Sequence, residues 1–219
     1  MSLILSLEEI RVLGVLIEKE MATPEYYPLS LNALVNACNQ KNNREPVMQL
    51  GESEALNAIE VMRHSGLAFE LTGKGHKVPK YSHGVNGKLN LGNRELAVIC
   101  VLLCRGPQTP GELRGRTQSL FEFEDLESVQ ATLARLTNRE AGALVMELPR
   151  EAGRREQRWA HLLGDRLPEI GEVHASTSET AASPRHDRNA EQEARVAQLE
   201  DRVHALEDFV ERLKSQLGL

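Results

Sequence analysis

The chain has 219 residues, with 26 Lys and Arg against 32 Asp and Glu and a formal charge of −6. A balance this acidic excludes coating of nucleic acid by bulk attraction and leaves only local basic patches for that purpose. The longest fully apolar run, Leu96 to Cys104, falls far short of the ~20 residues that span a bilayer. No basic segment precedes the apolar residues at the N-terminus, so no signal peptide is expected. Three cysteines, Cys38, Cys100 and Cys104, in no paired short spacing fit a reducing compartment, and the expectation is a soluble, cytoplasmic protein.

The first helix is predicted from Ser6, with Glu9 completing a capping box, to about Glu20. Ile10, Leu13, Leu16 and Ile17 give it one apolar face. Thr23-Pro24 breaks it, and Glu25-Tyr26-Tyr27-Pro28 reads as an extended connector, a candidate third strand. Ser30 caps a second helix that ends near Asn39. The polar loop Cys38 to Val47 follows, longer than the three or four residues common between such helices. In one reading it is a local cap, with Arg44 or Glu45 paired to a neighbour and the asparagines bonded to their own backbone. In the other, Asn39, Gln40, Lys41 and Arg44 face a ligand or nucleic acid.

Gly51 to Gly84 then reads as a helix of about fifteen residues and an extended hairpin. Ala55, Ile59 and Met62 line the buried helix face, and Gly66 stops the helix. Leu67, Phe69 and Leu71 alternate with other residues in strand fashion. The turn is Thr72-Gly73-Lys74-Gly75-His76. The return ends in Lys80-Tyr81-Ser82-His83, and Pro79 places it at a sheet edge. A helix beside such a ribbon is the working end of a winged helix, a helix-turn-helix variant.

The pattern recurs. Asn93 opens a helix that carries the apolar run to Cys104, Gly106-Pro107 ends it, and Thr109-Pro110-Gly111-Glu112 states a second capping box. A helix over Asp125 to Asn138 and a hairpin over Ala143 to Leu163 follow. Val129, Leu133 and Leu136 match Ala55, Ile59 and Met62; Arg158-Trp159-Ala160-His161 matches Lys80-Tyr81-Ser82-His83. The expected fold is mostly α with small β-hairpin wings: two tandem winged-helix domains, 1–88 and 89–165, each of about 80 residues. Residues 166–189 have linker composition. In 190–219, Val196, Leu199, Val203, Leu206, Val210, Leu213 and Leu217 alternate steps of three and four. Valine and leucine in those places, flanked by Arg195, Glu200, Arg202 and Glu207, predict a coiled-coil helix pairing in a parallel homodimer.

Enzymatic chemistry finds little support. The seven histidines are scattered without metal-ligand spacing, and no phosphate-cradling glycine loop or nucleophile motif occurs. Cys100 and Cys104 lie one turn apart but read as helix core. A non-enzymatic protein with no cofactor and no metal is expected, one that does not enter membranes. Nucleic-acid contact has a local basis: Arg63, Lys74, Lys77, Lys80 and Lys88 stand against the single acid Glu70 between residues 63 and 88. Lys74, Lys77 and Lys80 on the wing suit phosphates, and Asn57 and Arg63 on the preceding helix suit base edges. Lys41 and Arg44 join them in the loop reading. The second wing offers Arg154, Arg155 and Arg158. Tyr81 and Trp159 are expected to pack beneath the wings.

Three motifs carry a family resemblance: Asn39 to Val47, Arg105 to Arg114, and Asn138-Arg139-Glu140 with Arg158-Trp159-Ala160-His161-Leu162. Over about residues 5 to 163 the chain resembles the YceH-like family of uncharacterised bacterial proteins. The resemblance implies a tandem winged-helix fold and a bacterial cytosolic protein, and brings no biochemical activity with it. Two functions remain expected from the residues. One is a dimeric DNA-binding protein, a transcriptional regulator using the helix and wing of the first domain. The alternative is an interaction scaffold whose winged helices dock protein partners.

Overall fold

Helix α1 (Leu7–Ala22) begins at the predicted cap. Glu9 N–H donates to Ser6 Oγ at 3.3 Å, and Ser6 N–H donates to the Glu9 carboxylate at 3.1 Å, so two backbone donors of the first turn are matched. The structure, a computed structural model, describes residues 4–73, 77–150 and 156–164. The chain divides into two units, Met1–Glu172 and Val173–Leu219, and the described residues all belong to the first. The linker over 166–189 and the heptad positions Val196, Leu199, Val203, Leu206, Val210, Leu213 and Leu217 lie outside the described residues.

In the first repeat, β1 (Leu29–Ser30) leads directly into α2 (Leu31–Cys38), then come α3 (Glu52–His64), β2 (Ala68–Leu71), β3 (Lys80–His83) and the short α4 (Val85–Leu89). The strands form an antiparallel sheet in the order β1-β3-β2, with Leu29 opposite Tyr81 and Leu71 opposite Lys80. A third strand does form, but beyond the Glu25–Pro28 segment. Pro24 to Tyr26 makes one 3-10 turn, for which proline is preset, and pairing starts only at Leu29. Helix α3 stops where expected, with Gly66 at φ +75°.

The second repeat contains α5 (Asn93–Arg105), α6 (Pro110–Arg116), α7 (Leu126–Thr137), β4 (Val145–Glu147) and β5 (Trp159–His161). Here a single residue stands in for β1: Gln108 and Trp159 exchange both backbone hydrogen bonds, at 3.0 and 2.7 Å. The described protein is thus mostly helical with small antiparallel sheets.

Both repeats share one hydrophobic core. The sequence offers α1 a single apolar face, yet Arg11, Val12, Gly14 and Val15 are buried as well. The reason is α5, which packs on the other side of α1. Gly14 permits the approach: a Cβ there would lie 2.8 Å from Cys104 Sγ and 3.0 Å from Leu103 Cβ. Cys100 Sγ donates to Gly14 O at 3.4 Å. All three cysteines are buried and free, and burial pushes the Cys38 thiol up to about 12, leaving it protonated and inert.

Candidate functional site

The closing signature of each hairpin has a structural cause. In the first repeat Val85 N–H donates to His83 Nδ1, and in the second Leu163 N–H donates to His161 Nδ1, both at 3.3 Å. Each ring thereby holds the chain as it leaves its last strand. Because Nδ1 accepts, the proton of the neutral ring sits on Nε2. In the first repeat Nε2 lies 2.5 Å from the Glu20 carboxylate. Burial draws the His83 pKa down and Glu20 opposes that shift, with a net lowering. His161 has burial alone acting on it and falls to about 4. Tyr81 is buried under its sheet and Trp159 packs half-buried on the core, as the sequence suggests.

The loop after α2 is scaffold. Arg44 is only 4% exposed, and its guanidinium donates to both Glu18 oxygens at 3.0 and 2.5 Å and to Ala37 O at 3.1 Å. A buried guanidinium is tolerable only when its donors are matched in this way. Arg44 therefore does not belong to a DNA-contacting surface, which corrects that assignment. Asn39 is likewise engaged, accepting from Leu50 N–H and donating to Leu50 O. Arg11, buried in α1, donates to Cys38 O and Pro46 O. At the far end of the loop, Glu45 N–H donates to Cys104 O at 2.8 Å and Arg105 bonds Asn43. The loop is long because it brackets α1 and reaches α5. Lys41 stays exposed.

The outward face of α3 carries Glu52, Glu54, Leu56, Asn57, Glu60, Val61, Arg63 and His64, all exposed. Arg63, the candidate base reader, pairs with Glu60 at 2.7 Å and with Glu70 on β2 at 2.9 Å. Its charge is locally balanced, and the remaining acids make the face unfavourable to phosphate. Asn57 is the polar neutral group left there.

The hairpin alternates opposite to a simple inward reading of its apolar residues. Ala68, Tyr81 and His83 are turned to the core, so Phe69 and Leu71 are outward, at 53% and 40% exposure. Lys80 stands opposite Leu71 on that outer face, and Lys77 and Val78 are exposed just before it. Lys74 lies outside the described residues, as do Arg154 and Arg155; Arg158 is half-buried. Of the ten exposed large apolar side chains among the described residues, five are Leu56, Val61, Phe69, Leu71 and Val78. The signal for the two on α3 was present in the sequence: they fall off the Ala55-Ile59-Met62 face.

Two copies of three helices and a hairpin around a common core define a class of small, mostly helical repeat proteins. The family described as "Protein of unknown function, DUF480" matches residues 5–154, and the chain belongs to that family, as its motifs lead one to expect. A UPF0502 protein of Koribacter versatilis (strain Ellin345) is 55% identical over 163 residues, covering 74% of this chain and 75% of its own length. One from Solibacter usitatus (strain Ellin6076) is 52% identical over 177 residues, 81% and 84% of the two chains. One from Saccharophagus degradans is 45% identical over 221 residues, spanning 98% of this chain and 99% of its own.

Proposed function

We propose that the protein is a non-enzymatic, cytoplasmic interaction module built from tandem winged helices, with the first repeat docking a protein partner. The observation that carries this reading is that five of the ten exposed large apolar side chains among the described residues, Leu56, Val61, Phe69, Leu71 and Val78, belong to α3 and its hairpin. Exposed apolar groups concentrated in one part of a fold suit a protein interface. The acids on α3 and the doubly paired Arg63 disfavour insertion of that helix into a DNA groove. The heptad spacing of Val196 to Leu217 supports a parallel homodimer, which light scattering tests: removal of residues 190–219 halves the mass, and an unchanged mass removes the dimer from the reading.

A second reading, DNA binding by a transcriptional regulator, draws on exposed Lys77 and Lys88 and half-buried Lys80. Lysines on a wing contact phosphate without reading sequence. One experiment separates the two. Full-length protein is offered a random duplex library at about 50 and 200 mM salt and, in parallel, a proteome extract. Docking predicts a partner retained at both salts by the wild type and lost by Leu56→Asp with Leu71→Asp. An enriched inverted repeat in the duplex arm overturns docking in favour of the regulator.

A further inference from the structure

The outer face of the first hairpin has a chemistry distinct from α3 beside it. Register fixes its composition: Phe69 lies opposite Ser82 and Leu71 opposite Lys80. Val78, 51% exposed, and Lys77 lie just ahead of this strand, beyond the last paired residue Lys80. The hairpin's one acid among its described residues, Glu70, is the neighbour of two outward residues, so it points the other way, where Arg63 holds it. The face is therefore apolar with cations at its margin, while α3 is apolar with acids.

The ring of Phe69 has a prepared seat. It lies so close over Gly84 that a Cβ at that position would sit 2.5 Å from the ring. A cleft of about 450 Å³ opens next to it, lined by Glu20, Gly66, Phe69, His83, Gly84, Asn86, Gly87 and Lys88. An exposed aromatic fixed by backbone contact, with a cleft at its edge, has the form of an interface anchor point.

We infer that this sheet face binds an acidic polypeptide segment carrying apolar residues, with an apolar side chain in the cleft beside Phe69 and carboxylates facing Lys80, Lys77 and Lys88. The inference rests on the reading of the first repeat as a protein-docking module. Charge complementarity selects the sign of the partner. Geometry favours a polypeptide over duplex DNA. A duplex carries a charge every ~1.7 Å, so one lying on the wing also meets the glutamates of α3, whereas a single chain follows the sheet alone.

The test uses the full-length protein against a displayed library of random peptides, with random duplex DNA as a separate probe. Enriched peptides combine Asp or Glu with apolar residues. A synthetic copy of the best peptide loses about tenfold or more in affinity to Phe69→Ser and to Lys80→Glu, with Leu126→Ser, at an exposed site of the second repeat, unchanged. Circular dichroism confirms the fold of each variant, and Lys77→Glu, at an exposed site, gives a second charge reversal should Lys80→Glu misfold. Enriched peptides that are basic, or whose binding depends on Leu56 and not on Phe69, overturn the inference and leave protein docking standing. A library that yields nothing overturns it too. Duplex retention abolished by Lys80→Glu, with no peptide bound, overturns the docking reading as well.

Discussion

The two repeats share the backbone bonds that close their hairpins and differ in what they hang on them. Gly84 N–H donates to Leu67 O, and Leu162 N–H donates to Leu144 O, each at 2.8 Å; both histidines accept from the residue two positions on. Yet Gly84 becomes Leu162, Phe69 becomes Met146, and the Glu20 beside His83 has no counterpart beside His161. The loop after α2 is tied down by a buried arginine. Its equivalent after α6 is spanned by Arg114, an exposed residue that donates to Glu124 O at 2.6 Å. Duplicated backbone hydrogen bonds set the fold; the first repeat adds the exposed apolar surface.

Removing Arg44 tests that contrast most severely. Arg44→Ala strands Glu18 and two backbone carbonyls, those of Ala37 and Asn43, inside the loop, with an expected loss of about 3–5 kcal/mol, whereas Arg114→Ala costs about 1 kcal/mol or less. Urea midpoints compare the two directly, and equal losses break the distinction between the loops. Acid comes next. His161 has a pKa of about 4 in the folded state against 6.5 when free. Its folded pKa is the lower one, so the unfolded chain takes up protons first, and stability falls as pH drops from 6.5 towards 4. The loss from this group is about 3 kcal/mol. His161→Asn flattens that part of the pH–stability curve. For His83 the same sign holds with a smaller slope, and Glu20→Gln steepens it, because the opposing carboxylate is gone.

Gly84→Ala drives a methyl to 2.5 Å from the Phe69 ring and 2.6 Å from Gly66 O. The expected cost is about 1–3 kcal/mol by thermal unfolding. Phe69→Ser combined with Gly84→Ala recovers part of it, since one clashing partner is then absent. Smallest is Arg63→Ala, within about 0.5 kcal/mol, because its ion pairs are solvent-exposed. A larger effect at Arg63 means that its bridge between α3 and β2 carries structure.

The elements whose signals are local were readable in advance. The caps at Ser6, Ser30 and Thr109 form as their side-chain chemistry dictates, and Gly66 breaks its helix for a conformational reason confined to one residue. What depended on partners distant in the chain was not readable. The burial of Arg44 follows from Glu18, 26 residues away, and no window of sequence contains both. The all-round burial of α1 follows from α5 for the same reason. On the candidate surface, the apolar alternation Leu67-Phe69-Leu71 announced a strand but not its facing. Leu67 ends the approach to the sheet buried, and Tyr81 takes the inward place across from Glu70. Helix α4 was missed because its five residues include Gly87 and Asn86, poor helix formers.

The contact at Gly14 has a consequence for how the protein is made. Eighty-six positions separate the start of α1 at Leu7 from the start of α5 at Asn93. A ribosome adding ~5–20 residues each second takes roughly 4 to 17 seconds to deliver the second after the first. At the end of that interval the first repeat is fully synthesised while the Gly14 side of its N-terminal helix still stands bare. The nascent chain therefore passes through a stage in which it has all of one copy and is still adhesive, and translation past Cys104 is what ends it.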